Sequence, residues 1–409
     1  MSGGARRLVV LSIWEDPWSL GEGAGVADEL HFIRGLTEAG WRIDVLAPAP
    51  DGDPPPGGDG LSWHTYPNVF RRWPVVPRQI VRFGWLAAFG RAAAGPLRAL
   101  AARVRPDLLL GFSHYTLGPV GRVGRELGLP TAVKLFGVMH LGRTDLSPLA
   151  FRWLNADQRI ALRNPVDRYI VLDDGTRGDE ALARAGVPRE RISFLPNGMD
   201  VEWADIAVDR AAARREFGLP PDGVLAVTLS RLVRSKRVDL FLEAAARALA
   251  GAPPDLRFVV AGDGPRRAAL EERARRLGIA DRVVFTGVVP HDDVVRLFKA
   301  CDLFVGTNEL TNMSLPPCEA ILCGLPVVAF DVAATAEIVR EEETGLLVEP
   351  GDVDELARAI AALAGDEPRR RRLAAGAARL GRERFVSWKE RVEMEMAVFE
   401  EMLAGKAAR

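Results

Sequence analysis

Cysteine is scarce in this sequence, and long hydrophobic runs are absent. Its three cysteines, Cys301, Cys318 and Cys323, form no CxxC pair of the kind that binds metals and are too few for a disulfide scaffold. The N-terminal run "RRLVVLSIWED" has only a short apolar core, which favours a first β-strand over a signal peptide or membrane span. These features together predict a cytoplasmic protein.

The chain also lacks an excess of charge of either sign. It has 54 basic and 55 acidic residues and a formal net charge of −1, which gives no support to nucleic-acid binding. Lysine is rare among the basic residues, with five lysines against forty-nine arginines. A lysine at a special position is therefore informative.

Short apolar runs alternate with longer amphipathic stretches along most of the chain. One series extends from "RLVVLSI" to "DRYIVL", and a second extends from "VLAVTLS" to "GLLVEP". This alternation is typical of βαβ units and of parallel sheets covered on both faces. We therefore predict an N-terminal domain over 1–203, a second domain over 204–385, and a C-terminal helix over 386–409 that packs back across the domains.

The second series opens with "LSRLVRSKRVDL", in which Arg231 directly follows a strand and Lys236 precedes a helix. Cations at this position lie at the carboxyl edge of a parallel sheet, beside a helix N-terminus that attracts phosphate. The alternative is a pair of solvated surface charges. We interpret Arg231 and Lys236 as a clamp for a diphosphate, formed by a planar fork and a point charge.

The stretch "TNELTNMSLPPCEAILCGLPVVAF" places Glu319 about one turn into a helix that starts with two prolines. The free N–H groups near Met313, Ser314 and Leu315 should face the same sheet edge as Arg231 and Lys236. A phosphate held there would bring an attached ribose within reach of Glu319, which could accept both hydroxyl protons. The alternative role for Glu319 is a carboxylate that stabilises the helix dipole.

Two glycine-rich turns are weaker signals. Gly262 lies in "VVAGDGP", where a tight strand-to-helix turn needs glycine with or without a ligand. Gly21, Gly23 and Gly25 separate the first strand from the first helix, and such a loop lets backbone N–H groups approach an anion.

Residues 71–105 form a basic segment with eight arginines, several aromatic residues and no acid. One interpretation, which we favour, is a surface helix whose apolar face is core, with arginine stems lying over it. The other is a basic amphipathic element that contacts a membrane surface peripherally.

The motifs, taken in order, resemble the retaining glycosyltransferases of family 4, which use nucleotide sugars. The resemblance covers nearly the whole chain and rests on the glycine loop 21–25, "PNGMD", "SRLVRSK", "AGDGP", "FTGVVPHDDVVRLFKACDLFV" and "EAILCGLPVVAFDVAATAEIV". It implies the GT-B fold, an α/β architecture of two Rossmann-like doubly wound parallel-sheet domains facing a central cleft.

The resemblance also implies roles for individual residues. Arg231 and Lys236 would bind the donor diphosphate, Glu319 the ribose, and the backbone near Val288 the base. The loop that contacts the sugar and its phosphate would consist of Thr311, Asn312, Met313, Ser314 and Leu315.

Two positions depart from the family pattern. The family usually has a glutamate where this chain has Thr311, and it often has a histidine where this chain has Phe136. His114 and His140 lie nearby in the sequence and could substitute on the acceptor side; a packed or capping histidine is the alternative for each. These departures bear on sugar recognition more than on phosphate or ribose binding.

The reaction implied is transfer of a hexose, with retained anomeric configuration, from a UDP- or GDP-sugar to a hydroxyl acceptor that could be a glycan, a lipid-linked molecule or a small molecule. No cofactor beyond this co-substrate and no metal is expected, because the Asp-x-Asp strings at 51–53 and 352–354 resemble a loop and a helix cap. Alternatives are an epimerase or phosphorylase on the same fold, or a sugar-nucleotide-binding subunit without turnover.

Overall fold

The computed structural model describes residues 5–14, 27–50, 57–58, 60–69, 78–136, 146–173, 177–308, 315–332 and 335–407, with 27–28 and 78–83 as backbone alone. The chain divides into two compact units. Unit 1 comprises Met1–Gly198 together with Ser387–Arg409, and unit 2 comprises Met199–Val386.

The described residues form strands and helices that alternate along most of the chain. The strands are β1 (Arg7–Leu11), β2 (Arg42–Pro48), β3 (Leu61–Tyr66), β4 (Leu108–Phe112), β5 (Thr131–Leu135), β6 (Arg168–Asp173), β7 (Ile192–Pro196), β8 (Gly198–Met199), β9 (Leu225–Leu229), β10 (Arg257–Ala261), β11 (Val283–Gly287), β12 (Leu303–Gly306), β13 (Val327–Phe330), β14 (Gly345–Val348) and β15 (Val386–Ser387). The α-helices are α1 (Ala27–Glu38), α2 (Arg78–Val104), α3 (Leu117–Leu127), α4 (Pro148–Leu154), α5 (Ala156–Ala161), α6 (Gly178–Arg184), α7 (Arg210–Glu216), α8 (Val238–Ala248), α9 (Arg267–Arg276), α10 (His291–Ala300), α11 (Leu315–Leu322), α12 (Thr335–Ile338), α13 (Val353–Gly365), α14 (Glu367–Arg384) and α15 (Trp388–Ala407).

Unit 1 is built on a seven-stranded sheet with the order β3-β2-β1-β4-β5-β6-β7, in which all of the paired strands are parallel. The central strands β1, β4 and β5 are almost completely buried, as expected where helices cover both faces of a parallel sheet. Strands β2 and β3 lie on one side of β1, and β4 to β7 follow on its other side. In open α/β sheets such a reversal opens a crevice at the carboxyl ends of the strands, here β1 and β4.

Helix α2 packs its apolar side chains into unit 1. The buried positions recur every three or four residues, the period of one helix face: Phe89, Ala93, Leu97 and Leu100. Trp85 is partly buried, and the side chains of Trp73 and Phe83 lie outside the described part of the chain. The described part of the basic segment 71–105 thus covers core. No described helix is both long enough and apolar enough to cross a bilayer.

Unit 2 has six parallel strands in the order β11-β10-β9-β12-β13-β14. Aromatic pairs fill the core on each side of the sheet, with Phe241 against Phe258 on one side and Phe298 against Phe304 on the other. The strand order reverses between β9 and β12: β10 and β11 lie on one side of β9, and β12, β13 and β14 follow on its other side. The prediction of two doubly wound parallel-sheet domains is confirmed.

The last helix, α15, packs on α1 within unit 1. Val392 lies against Gly35, where an added Cβ would come within 2.9 Å of the valine side chain. The Phe399 ring meets the Phe32 ring edge-on with centroids 6.1 Å apart. The C-terminal helix is therefore part of the core of unit 1.

A buried cluster of charges also joins α15 to β5. Glu395 Oε1 lies 2.8 Å from Lys134 Nζ and 2.9 Å from an Arg391 guanidinium nitrogen, and all three side chains are at most 1% exposed. The Lys134 ammonium lies 4.9 Å from the centroid of the Phe32 ring. Because an uncompensated charge is costly in an apolar interior, Glu395 stabilises both cations as their shared counter-charge.

We expect Glu395→Gln to destabilise unit 1 strongly. The variant leaves Lys134 and Arg391 without the carboxylate between them, and removing one partner of a buried ion pair costs about 3–5 kcal/mol. The free energy of unfolding by urea measures the effect. Glu400→Gln is the matched control on the same helix, because Glu400 pairs with Arg6 at an exposed position and should cost less than about 1 kcal/mol. Equal losses in the two variants would contradict this account of the cluster.

Candidate functional site

The reversal of strand order in unit 2 brings two strand ends together. Arg231 and Lys236 lie in the segment between the end of β9 and the start of α8, and Thr307 lies just after β12. The buried Thr307 hydroxyl donates a 3.1 Å hydrogen bond to the Lys236 carbonyl oxygen. This bond fixes the lysine at the crevice where open α/β sheets bind ligands.

Arg231 and Lys236 are close enough at this crevice for their positive charges to repel each other. Arg231 is exposed and Lys236 is half-buried, and burial, followed by the positive charge of Arg231, lowers the pKa of the Lys236 ammonium. Within the described residues neither side chain forms an ion pair, although ion pairs are frequent elsewhere in unit 2. Like charges held together without a counter-ion create a positive potential suited to an anion.

Helix α8 adds its N-terminus to the same place. Arg237 precedes the helix with a left-handed backbone (φ 48°), and no described side chain caps the first turn. Uncapped N–H groups at a helix start favour an anionic ligand. The two cations and the helix end together form a site suited to a phosphate or diphosphate.

The glycines of "AGDGP" allow the β10 loop to approach the β9 loop closely. Gly262 has a φ of 114°, and a Cβ there would lie 2.0 Å from the carbonyl oxygen of Ser230. The Gly262 N–H donates to the Gly287 carbonyl oxygen at 2.7 Å. Val288, which follows Gly287 at the end of β11, is 70% exposed. The structure thus brings Gly262 and Val288 to the same sheet edge as Arg231.

Glu319 lies one turn into α11 and is only 6% exposed. Burial raises the pKa of its carboxyl to about 7, with the positive field of His291 lowering it and the negative field of Asp200 raising it further. No described group donates a hydrogen bond to this carboxylate. Glu319 is therefore a buried acid whose neutral form persists well above the ordinary titration range of a glutamate.

His291 and Asp200 form a pair beside Glu319 that the sequence analysis did not identify as part of the site. His291 Nε2 lies 2.8 Å from Asp200 Oδ2, and this hydrogen bond raises the pKa of the imidazole. The Trp203 ring packs against the imidazole with centroids 5.0 Å apart. Both residues occur in motifs that carried the resemblance, "PNGMD" and "VVPHDDV", and that is the signal that could have found them.

In unit 1, the corresponding crevice at β1 and β4 contains His114. His114 Nε2 lies 3.5 Å from Asp157 Oδ2, with both side chains largely buried. The preceding residue, Ser113, has a φ of 78° in the left-handed region, which a non-glycine residue rarely adopts and which indicates local strain. Phe136, at the end of β5, packs edge-on against Phe112.

Several predicted site residues lie outside the described part of the chain: Gly21, Gly23, Gly25, His140, Thr311, Asn312, Met313 and Ser314. Leu315 begins α11 and is partly buried. Asp352 accepts a 2.8 Å hydrogen bond from the Glu355 N–H as the cap of α13. Among the described residues, no group of three or more His, Cys, Asp or Glu could hold a metal ion.

Comparisons with known proteins identify the family. Residues 25–198 match the family described as glycosyl transferase 4-like domain, and residues 209–380 match glycosyl transferases group 1. D-inositol 3-phosphate glycosyltransferase of Stackebrandtia nassauensis is 30% identical over 407 residues, which cover 91% of this chain and 87% of that protein. 2-Deoxystreptamine glucosyltransferase of Streptomyces kanamyceticus is 32% identical over 346 residues, which cover 81% of this chain and 87% of that protein.

A solved structure shows the same fold. HepE of Anabaena in complex with UDP aligns with a TM-score of 0.72 at 20% identity, covering 97% of this chain and 99% of that one. The match extends over both units. The chain therefore belongs to the group 1 glycosyltransferases and has the GT-B fold.

Proposed function

We propose that this protein transfers a hexose from a nucleoside-diphosphate sugar to a hydroxyl acceptor, with retained anomeric configuration and without a metal. The observation that carries the proposal is the pair Arg231 and Lys236, held together beside the open start of α8 with no ion-pair partner in the described chain. UDP- and GDP-sugars carry the doubly charged diphosphate that such a site would accept. The UDP complex of HepE supports UDP as the first candidate.

The chemical demand of the reaction matches these charges. As the bond from the anomeric carbon to the diphosphate oxygen breaks, the diphosphate gains negative charge while the sugar becomes oxocarbenium-like. Arg231 offers a planar fork and Lys236 a point charge, and both act where charge develops in the transition state. In the front-face course that we propose, the acceptor hydroxyl attacks from the side of the leaving group. The departing phosphate oxygen takes its proton, so no separate general base is required.

Glu319 is proposed to bind the donor ribose. Its carboxylate form would accept hydrogen bonds from both vicinal hydroxyls, which offsets the burial that raises its pKa to about 7. The Asp200–His291 pair supports this role, because the hydrogen bond that His291 donates to the Asp200 carboxylate raises the pKa of the imidazole and so favours a cation in the field of Glu319. His291 thereby favours the carboxylate that the ribose requires.

Unit 1 is proposed to bind the acceptor. His114, whose Nε2 lies 3.5 Å from Asp157 Oδ2 at the β1/β4 crevice, is placed to contact a polar ligand. The two curated relatives are named for D-inositol 3-phosphate and 2-deoxystreptamine, both small and polar molecules. A small hydroxylated acceptor is therefore the first class to test.

A thermal-shift screen against UDP, GDP, ADP and their sugars tests the donor. A ligand at a hundred times its dissociation constant adds about 2.7 kcal/mol to the free energy of unfolding. Proton NMR of the product formed with an inositol phosphate or aminocyclitol acceptor then reports the anomeric configuration. Incubation with donor alone, with and without phosphate, separates transfer from epimerisation and phosphorolysis. Inverted configuration, or nucleotide binding without turnover across the acceptors, would contradict the proposal.

We expect Lys236→Met to abolish most transfer while leaving the fold as stable as the wild type or more so. Loss of the point charge should cost about 2–4 kcal/mol of transition-state stabilisation. The same change removes the half-buried ammonium of Lys236, whose charged form is disfavoured by burial and by the nearby Arg231. Its removal should therefore not destabilise the fold. Values of kcat/KM and Tm check both effects. Arg234→Gln is the control on the same turn, exposed to solvent, and near-wild-type transfer is expected. Transfer by Lys236→Met at the wild-type rate would exclude the clamp.

Glu319→Gln should stabilise the unliganded protein at alkaline pH. Because the folded-state pKa of Glu319 is raised to about 7, the wild type loses stability as the pH rises from the unfolded-state pKa through 7. The loss levels off at about 3–4 kcal/mol above that pH. Glutamine cannot ionise, so the variant should gain Tm at pH 8 and show little gain at pH 5, together with a higher donor KM. The control Glu349→Gln, at an exposed position, should leave Tm unchanged at both pH values. A gain of equal size at both pH values would contradict the titration.

His291→Gln should move the pH dependence of donor binding upward. The positive field of His291 lowers the pKa of Glu319, so its removal makes the carboxylate scarcer at neutral pH. Donor affinity, measured calorimetrically from pH 6 to 9, should weaken at pH 7 and recover at higher pH. An equal loss at every pH would indicate direct contact with the donor instead.

A further inference from the structure

The surface of α4 and α5 exposes large apolar side chains in a way that the rest of the described chain does not. Leu149 is 82% exposed, Trp153 is 53% exposed and Ile160 is 39% exposed. Of the eight exposed large hydrophobic residues in the described chain, these three fall within twelve consecutive positions. A cluster of this kind marks an interaction site, whereas single exposed apolar residues need no explanation.

Arginines surround these apolar residues. Two clefts, of about 570 and 420 Å³, flank Ile160, and no acidic residue lines either of them. The arginines that line them are Arg91, Arg122, Arg152, Arg159, Arg163 and Arg184. The face is therefore strongly positive although the whole chain has a net charge of −1.

Most of this charge has no partner of opposite sign in the described chain. Arg152, Arg159 and Arg163 are exposed and form no ion pair with another described residue; Arg184 pairs with Glu180 at 2.9 Å. The single acid between positions 148 and 163 is Asp157, which is buried and lies 3.5 Å from His114. The exposed charge of this stretch is thus entirely positive.

We propose that residues 148–163, with the arginine-lined clefts beside them, dock on an anionic lipid surface. A lipid surface accounts for both the arginines and the exposed apolar side chains. Arginines attract acidic headgroups, and Trp and Leu side chains enter the boundary between headgroups and acyl chains. A purely polar polyanion would account for the arginines but not for the most exposed residue of the face, Leu149. This docking surface lies in unit 1 and is independent of the proposed donor site.

The surface differs from the membrane contact that the second interpretation of residues 71–105 would give. The apolar side chains on the inner face of α2, such as Phe89 and Leu97, are fully buried and cannot reach a bilayer. Helix α2 contributes only its outer side, through Leu86 and Arg91, to one of the two clefts. The lipid contact therefore centres on α4 and α5.

Sedimentation of the full chain with vesicles of phosphatidylcholine containing roughly 30% phosphatidylglycerol tests the proposal, at about 50 mM and about 500 mM salt. We expect sedimentation at low salt that weakens but does not vanish at high salt. The triple variant Arg152→Gln, Arg159→Gln, Arg163→Gln should lower the low-salt partition coefficient by about tenfold or more. The double variant Leu149→Ser, Trp153→Ser should remove the salt-resistant part.

Matched controls lie at exposed positions outside residues 148–163 that line neither cleft. Leu127→Ser removes another exposed apolar side chain of unit 1. The triple variant Arg275→Gln, Arg276→Gln, Arg371→Gln removes the same charge from exposed positions of unit 2. Both should sediment like the wild type. Because every substituted side chain is exposed, thermal unfolding should be unchanged and serves as the check on folding.

Three results would overturn the proposal. The first is absence of sedimentation by folded wild type at low salt. The second is sedimentation that the α4–α5 variants reduce no more than the controls do. The third is a change of oligomeric state in the Leu149/Trp153 variant by sedimentation velocity without any effect on vesicle binding, which would make this face a contact between copies of the chain.

Discussion

The proximity of Arg231 and Lys236 is the constraint on which the account of unit 2 depends. Burial and a neighbouring guanidinium both disfavour the charged form of Lys236 and lower its pKa, yet the Thr307 hydroxyl and the turn before α8 hold it in place. A fold stabilised only by its own contacts would avoid this arrangement or place a carboxylate beside it. An arriving diphosphate offsets the repulsion, and it does so most when its charge is highest, at the transition state.

Burial acts on Glu319 in the opposite sense to Lys236, because it raises the pKa of the carboxyl whereas it lowers the pKa of the ammonium. Its burial favours the neutral acid, whereas the proposed ribose contact requires the carboxylate. Asp200 and His291 bias that balance from the neighbouring elements. Unliganded unit 2 therefore holds one acid and one base away from their ordinary protonation behaviour, a pattern that is concentrated at functional sites.

The sequence was sufficient for the features that local pattern determines. Alternating apolar runs predicted both sheets, and the rarity of lysine drew attention to Lys236. The positions of Arg231, Lys236 and Glu319 followed from strand ends and a helix start. The His291–Asp200 pair joins residues 91 positions apart, and Glu395 neutralises Lys134 from the far end of the chain. Such contacts have no local period and need the fold. For residues 71–105, composition allowed both a core-covering helix and a membrane contact, because the burial of Phe89 and the exposure of Trp153 depend on packing that composition does not specify.

Proton release on donor binding tests the central claim most directly. The experiment is a calorimetric titration at pH 7 with the sugar nucleotide that stabilises the protein most. Repeating it in two buffers of different ionisation enthalpy gives the number of protons exchanged on binding. The diphosphate diester of the ligand does not titrate near pH 7, so it contributes no protons. Because burial raises the pKa of Glu319 to about 7, binding of ribose to the carboxylate should release protons from the wild type and none from Glu319→Gln. No release from the wild type, or equal release from both proteins, would contradict the placement of the ribose on Glu319.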